Sequence, residues 1–364
     1  KDGDVLAQTV DGDRVYSDDS TTRKSTLHVV GDPKNFISSG VQSVYSARLT
    51  GYSLMFGVYN IERYGKGNDL KLTVDKDINN AAYNALNGRK GTVAVVNYKT
   101  GDIICEVSSP SYDVDNVPDN LDTSEKYEGV YINRFINAHY VPGSTFKILS
   151  TYAPGIDTGS MTLATVFDDA PYRYENGQKV TNYVSTSYKG LTTIRDAIIH
   201  SNNIVAVKAL TDLTPQVGFD FLQKLGFTTL VSNRVNTTGA YESDVNQALA
   251  LGGITDGVTN VELTAAYAAI ANQGSYNKPV LYTTVKDSNG NILLSNKKKS
   301  KKVMKKSTAW LLTNAMEDVV KKGTGEAARL DSGMPAAGKT GTTSNNYDYW
   351  FCGYTPYYTA SVWT

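Results

Sequence analysis

Ser144 and Lys147 stand three residues apart in "PGSTFK". At that spacing a helix carries both side chains on one face, about one turn apart. A serine hydroxyl is a poor nucleophile until a base removes its proton. A lysine becomes such a base when burial or a neighbouring cation lowers its pKa. Near a helix N-terminus, backbone N–H groups also favour developing negative charge. The pair alone has little specificity, because Ser275–Lys278 and Ser295–Lys298 repeat the spacing in loop-like or polar surroundings.

"SNN" offers a second hydroxyl, Ser201, and an amide, Asn203. A hydroxyl there can relay a proton, and an amide can hold a peptide group. Ser275-Tyr276-Asn277 and Ser344-Asn345-Asn346 fit the same pattern, and a helix cap or turn explains any one of them. A third motif is Lys339-Thr340-Gly341 in "AAGKTGTT". Its small residues would let a substrate backbone lie against this strand. Lys339 places a cation suited to a carboxylate, and the Thr340 and Thr342 hydroxyls can bind the same anion. The same tripeptide occurs as Lys99-Thr100-Gly101 in "VNYKTGDII". There it falls between two β-branched apolar runs, which is hairpin punctuation, with Lys99 in solvent.

The elements that must position these groups follow from pattern. "DGDVLAQTVDGDRVYS" reads as a hairpin, and residues 1–66 read as a small strand-rich pedestal. "DLKLTVDKDINNAAYNALNG" is a strand and then a helix capped near Asp75 or Asp77 and closed by Gly88. "GTVAVVNYKTGDIICEVSSP" is a strand pair. Pro142-Gly143 precedes a helical stretch. "LTTIRDAIIHSNNIVAVKALTDL" is two helices broken at Ser201-Asn202-Asn203. "NVELTAAYAAIANQG" and "STAWLLTNAMEDVVKKGTG" are helices ended by Gly274 and Gly323, with a hairpin between them turning at Asn289-Gly290. Three strands close the chain. Strands, a block of helices, then strands make an α+β domain whose sheet draws on both ends of the chain.

Composition narrows the function classes. Lys plus Arg equals Asp plus Glu at 36 each, which argues against a nucleic-acid surface. Cys105 and Cys352 form no metal or disulfide pattern, and His28, His139 and His200 are scattered, so no metal site is expected. Seven lysines between 297 and 306 read as a solvated hairpin end, with attraction to an anionic surface as the sharper alternative. No run of 18 apolar residues is present.

The specific signal is the ordered trio. Ser144 precedes Ser201 by 57 residues and Lys339 by 195, and Ser-x-x-Lys, Ser-x-Asn and Lys-Thr-Gly in that order mark penicillin-recognising serine acyltransferases. "NAHYVPGSTFK", "SNNIVAVKAL", "ELTAAYAAIANQG", "TAWLLTNAMEDVVKKGTGEAARL" and "AAGKTGTTSNNYDYWFCGYTP" resemble the transpeptidase domain of penicillin-binding proteins. The resemblance runs from about residue 68 to 364.

That resemblance implies a five-stranded antiparallel sheet flanked by helices, spanning residues 67–364. It implies that Ser144 is acylated, that Lys147 accepts its proton, and that Ser201 passes the proton to the leaving group. Asn203 would hold the donor peptide. Lys339, Thr340, Gly341 and Thr342 would line the strand that receives the terminal carboxylate. The backbone N–H groups of Ser144 and Thr342 would form the oxyanion hole. It further implies peptidoglycan stem peptides as substrates, β-lactams as covalent inhibitors, a polymerising glycosyltransferase as partner, and no cofactor. The site would work on the extracytoplasmic face of a bacterial membrane, held by an N-terminal transmembrane helix outside this chain. The motif phrases look like bifunctional members. Residues 1–66, including "DGDVLAQ" and "STLHVVGDP", look instead like the pedestal of monofunctional class B-type members. A C-terminal helix usual in the family is not expected here. The sheet order implied by the family separates the Cys105 and Cys352 strands by two others, so both thiols should be free.

Three rivals share part of this pattern. A serine β-lactamase needs a base for deacylation, and Glu242-x-x-x-Asn246 has the spacing of one. A D,D-carboxypeptidase would use water as acceptor, and a β-lactam sensor would acylate without turnover. A triad through His200 lacks a Gly-x-Ser-x-Gly elbow.

Overall fold

The computed structural model describes residues 3–49, 67–183, 187–296, 298–343 and 346–364. Five strands form the main antiparallel sheet: β1 (Gly91–Val96), β2 (Ile103–Ser109), β3 (Ala337–Thr342), β4 (Tyr349–Tyr354) and β5 (Thr359–Trp363), in the order β3-β4-β5-β1-β2. Strands from both ends of the chain therefore share one sheet, as the element order predicts. Every residue of β2 is buried, Glu106, Ser108 and Ser109 included. The sheet order places β5 and β1 between the strands of Cys352 and Cys105, and both cysteines are free.

The chain divides into two compact units. The first comprises residues 1–96, 100–138 and 279–299. Its helix α1 (Lys76–Leu86) is capped by Asp75, whose carboxylate accepts from the Asp77 and Ile78 N–H groups. Asn87 takes the left-handed cap position, and Gly88 follows it at φ +75°. The hairpin at Ala7–Val10 and Asp13–Tyr16 is present. The rest of the described pedestal is not strand-rich: Ser20–Ser25, Leu27–Val30, Val41–Val44 and Ser46–Leu49 are short helices. The first of them has a side-chain cap, which the next two lack: Asp19 accepts from the Thr21 and Thr22 N–H groups. Leu27, Ile37, Tyr112, Leu121 and Val130 form this unit's small core.

The second unit holds residues 97–99, 139–278 and 300–364. Its helices include α2 (Ile194–Ile199), α3 (Asn203–Leu213), α4 (Asn260–Ala271) and α5 (Lys306–Lys322). α4 opens with a capping box between Thr259 and Glu262 and is buried on nearly every face. Its alanines let it pass close behind β5 and β4. α5 buries one stripe, Thr308, Leu312, Ala315, Met316 and Val319, and packs along β3. No helix of the described residues is long and apolar enough to cross a membrane.

Candidate active site

The segment predicted as a regular helix around Ser144 is irregular in two ways. Gly143–Thr145 is a tight 3₁₀ turn, and Lys147–Tyr152 is a wide π-helical turn before the α-helix Ala153–Thr158. Pro154 has no N–H to offer the Ser150 carbonyl, and Ser150 Oγ takes the Phe146 carbonyl at 2.9 Å. The α-helical ladder is thus interrupted from both sides, and such wide turns concentrate at functional sites.

The turn is clamped from outside. Tyr267 of α4 donates its hydroxyl to the Thr145 carbonyl, 2.8 Å, and Trp350 Nε1 of β4 donates to the Val141 carbonyl, 3.1 Å. β3 touches the turn backbone to backbone. Gly143 has φ +53°, and a Cβ there would lie 3.0 Å from the Thr342 oxygen. A Cβ on Gly341 would lie 2.8 Å from Thr145 Cγ2 and 2.9 Å from the Pro142 oxygen. At two positions the small residues of β3 answer to packing within the chain. Gly341 makes room for the Ser144 turn, and at Gly338 a Cβ would meet the Phe351 ring.

The second motif sits where the two helices break, as predicted. Thr193 caps α2 and Asn202 caps α3, accepting from the Val205 N–H at 2.9 Å. Between them Ser201 takes φ +55°, a backbone region that non-glycine residues avoid. The short turn aims its hydroxyl at two lysines. Lys147 Nζ lies 3.1 Å from Ser201 Oγ, and Lys339 Nζ donates to the same oxygen at 2.8 Å. Lys147 Nζ also donates to the Ser201 carbonyl and to Asn203 Oδ1, both at 2.5 Å. Lys339 Nζ donates further to the Thr340 carbonyl, 2.9 Å.

Both lysine side chains are fully buried. Burial, with the neighbouring Lys339 cation, holds the Lys147 amine well below the usual lysine range. Burial brings Lys339 down to about 7, opposed only by Cys352.

The structure therefore brings Lys147, Ser201, Asn203 and Lys339 into one hydrogen-bonded group. Thr342 reaches the site through its backbone beside Gly143. No hydrogen bond among the described residues joins the Ser144 hydroxyl to Lys147. Thr340 Oγ1 is paired at 2.7 Å with Thr324 Oγ1, a residue not singled out from sequence. The Thr324 N–H bonds the Ile199 carbonyl, and Gly323 lets the chain approach there. Its only signal in the sequence is the Gly-Thr-Gly that stops α5.

The other pattern matches lie elsewhere. Ser275 and Asn277 are strand residues paired with Ser300–Lys302. Ser344 and Asn345 lie outside the described residues. Glu242 is bonded by Arg234 Nε and Asn236 Nδ2, at 2.8 and 3.0 Å, and Asn236 foremost holds its carboxyl below the usual range. Asn246 caps the turn at Gln247–Leu251. His200 is an exposed cap at the end of α2. Lys99 is exposed in the β1–β2 turn, with Nζ over the Tyr98 ring.

Residues 91–364 match the penicillin binding protein transpeptidase domain. The chain is 32% identical to penicillin-binding protein 1A of Clostridium tetani over 301 residues, 80% of this chain and 38% of that protein. It is 36% identical to penicillin-binding protein 1A of Clostridium acetobutylicum over 64% of this chain and 29% of that one. The chain thus spans well under half the length of these curated relatives. Among solved structures, the D,D-transpeptidase domain of a peptidoglycan glycosyltransferase from Eggerthella lenta covers all of this chain and 91% of its own, with TM-score 0.81 and 25% identity. Penicillin-binding protein A from M. tuberculosis, solved as an imipenem acyl-enzyme complex, shares the fold at TM-score 0.82, 20% identity and 91% of its length. A motif trio gathered at one sheet edge, on a fold and sequence shared with these proteins, carries one conclusion: the chain belongs to the penicillin-binding protein transpeptidase family.

Proposed function

We propose that the protein is a serine acyltransferase that cross-links peptidoglycan stem peptides through an acyl-enzyme on Ser144. The observation that carries this reading is the Ser201 hydroxyl held between two buried amines, Lys147 and Lys339. A neutral Lys147 has two N–H bonds and one lone pair. Its contacts match that valence: two hydrogens to the Ser201 carbonyl and Asn203 Oδ1, and a lone pair facing the Ser201 hydroxyl, able to take a proton. Lys339, the less depressed amine, supplies the cation.

In the reaction, Lys147 Nζ turns from Ser201 Oγ and takes the Ser144 proton, a contact of the kind that tightens only with substrate bound. Ser144 Oγ then attacks the carbonyl between the two terminal D-alanines. The backbone N–H groups of Ser144 and Thr342 receive the oxyanion. Ser201 returns the proton to the departing D-alanine. Lys339, Thr340 and Thr342 hold its carboxylate. An amine of a second stem peptide then displaces Ser144 and completes the cross-link. A β-lactam enters the same way, but its opened ring stays attached and blocks the second step. M. tuberculosis penicillin-binding protein A, with the same fold, forms such acyl-enzymes with imipenem and penicillin G. Glu242, committed to Arg234 and Asn236, is poorly placed to activate water as a β-lactamase requires. The substrate puts the site on the extracytoplasmic side of the membrane, beside a glycosyltransferase that makes the glycan strands.

Intact-mass spectrometry after penicillin tests the reading. A single adduct that maps to Ser144 is expected. Ser144→Ala should lower its formation by at least ~10³-fold with the fold intact. An adduct forming at the parent rate in that variant would overturn the assignment.

A further inference from the structure

Asn203 must face the right way to serve Lys147. An amide offers a carbonyl on one side and two N–H donors on the other, and a half-turn of its side chain would point N–H groups at an amine. One neighbour settles its direction, and a second holds the backbone that carries it. The Asn203 Nδ2 donates to the Thr181 carbonyl at 2.6 Å, which leaves Oδ1 for Lys147 Nζ at 2.5 Å. The Asn203 backbone N–H donates to Asn182 Oδ1 at 2.9 Å, and the Ile204 N–H adds a longer bond of 3.4 Å to the same oxygen.

Asn182 is itself oriented. Its Nδ2 donates to Asp169 Oδ1 at 2.8 Å. The Asp169 side chain is buried at the end of the strand Val166–Asp169 and also accepts from the Lys189 N–H at 2.9 Å. A carboxylate accepts only, and a backbone N–H donates only, so Asn182 has one orientation that satisfies both. The chain of bonds runs from Asp169 through Asn182 to Asn203 and ends on the amine of Lys147. Each link has a donor on one side and an acceptor on the other.

From this we infer that Asn182, anchored by Asp169, is a positioning residue that sets the start of α3 and thereby the direction of the Asn203 amide toward Lys147. The inference rests on the acyltransferase reading for its consequence in rate, and on the hydrogen-bond chain alone for its consequence in structure.

The test is an exchange of the two side chains. Asn182→Asp keeps an acceptor for the Asn203 N–H but sets two carboxylates against each other. It should slow acylation by penicillin roughly 10- to 100-fold, the scale of a displacement of about an ångström at a reacting group. Adding Asp169→Asn restores a donor facing an acceptor at that link, with the new amide oxygen still open to the Lys189 N–H. The double variant should recover to within about threefold of the parent rate. Asn182→Asp acylating at the parent rate, or a double variant no faster than the single, would overturn the inference. A general packing defect would not be rescued by a swap. Crystal structures of the parent and of Asn182→Ala give a second readout independent of activity. The Oδ1–Nζ contact of Asn203 should be lost in the variant, and its persistence would also overturn the inference. If the parent itself forms no penicillin adduct, the acyltransferase reading fails while these structures still decide the role of Asn182.

Discussion

Lys99-Thr100-Gly101 and Lys339-Thr340-Gly341 are the same three letters under opposite physical demands. The early lysine is exposed over a tyrosine ring, and the late one is fully buried against Ser201. Gly101 is glycine because its backbone sits at φ +80° in a turn. Gly341 is glycine because a methyl group would strike Thr145 and Pro142. One copy answers to local chain geometry, the other to tertiary contact. A tripeptide acquires chemistry from what is packed around it.

The largest expected break between the copies is at the lysines. Lys339→Ala should slow penicillin acylation by about 10² or more, since it removes a cation from a fully buried position. Lys99→Ala, measured in the same stopped assay, should change it less than about twofold. Equal effects would erase the distinction drawn here.

The glycines should separate next. Gly341→Ala should push β3 from the Ser144 turn and cost roughly tenfold or more in acylation rate. Gly101→Ala should leave the rate alone and cost on the order of 1 kcal/mol of stability, read from chemical unfolding.

Protonation sharpens the comparison further. With the Lys339 pKa near 7, the acylation rate should fall as pH rises through about 7. Lys339→Arg, which keeps its charge, should lose that alkaline limb whatever its absolute rate. The same shift carries a stability consequence of definite sign. The unfolded chain binds this proton up to the ordinary lysine pKa, near 10.4, and the folded chain releases it near 7. Folding is therefore penalised below about 7, and the penalty is relieved as pH rises toward 10.4. Lys339→Met should raise Tm at pH 7 by about 2 °C or more, with a gain that shrinks in alkali, measured by calorimetry. Lys99→Met should move Tm by less than about 1 °C at either pH.

The smallest effect concerns the cysteines. Thiol titration of unreduced, denatured protein should count two, matching Cys105 and Cys352 as free buried residues.

Much of this was legible in the letters. The break between α2 and α3 shows as Ser-Asn-Asn, because capping side chains are local signals. The three closing strands show through their apolar and aromatic runs, and α5 ends at Gly323 as read, whereas α4 stops at Ala271 with Asn272, ahead of Gly274, as its cap. The irregular turn after Ser144 does not. It depends on Pro154 and Ser150 together denying a ladder that periodicity alone would supply. Thr324 was hidden because its partners, Ile199 and Thr340, are distant in sequence and meet it only through the fold. The short helices of residues 20–49 were hidden because one or two turns carry no period to read. The packing of Gly341 against the Ser144 turn was hidden because smallness tells that something is close, but not what.

The contact between Gly143 and Thr342 joins points nearly two hundred residues apart. Closing so long a loop is slow, and nothing local rewards it beforehand. On the proposed reading, a nascent chain carries Ser144 long before it carries the strand that would complete the oxyanion site. A fragment ending short of β3 should then form no penicillin adduct, so uptake of penicillin would also report that synthesis has passed β3.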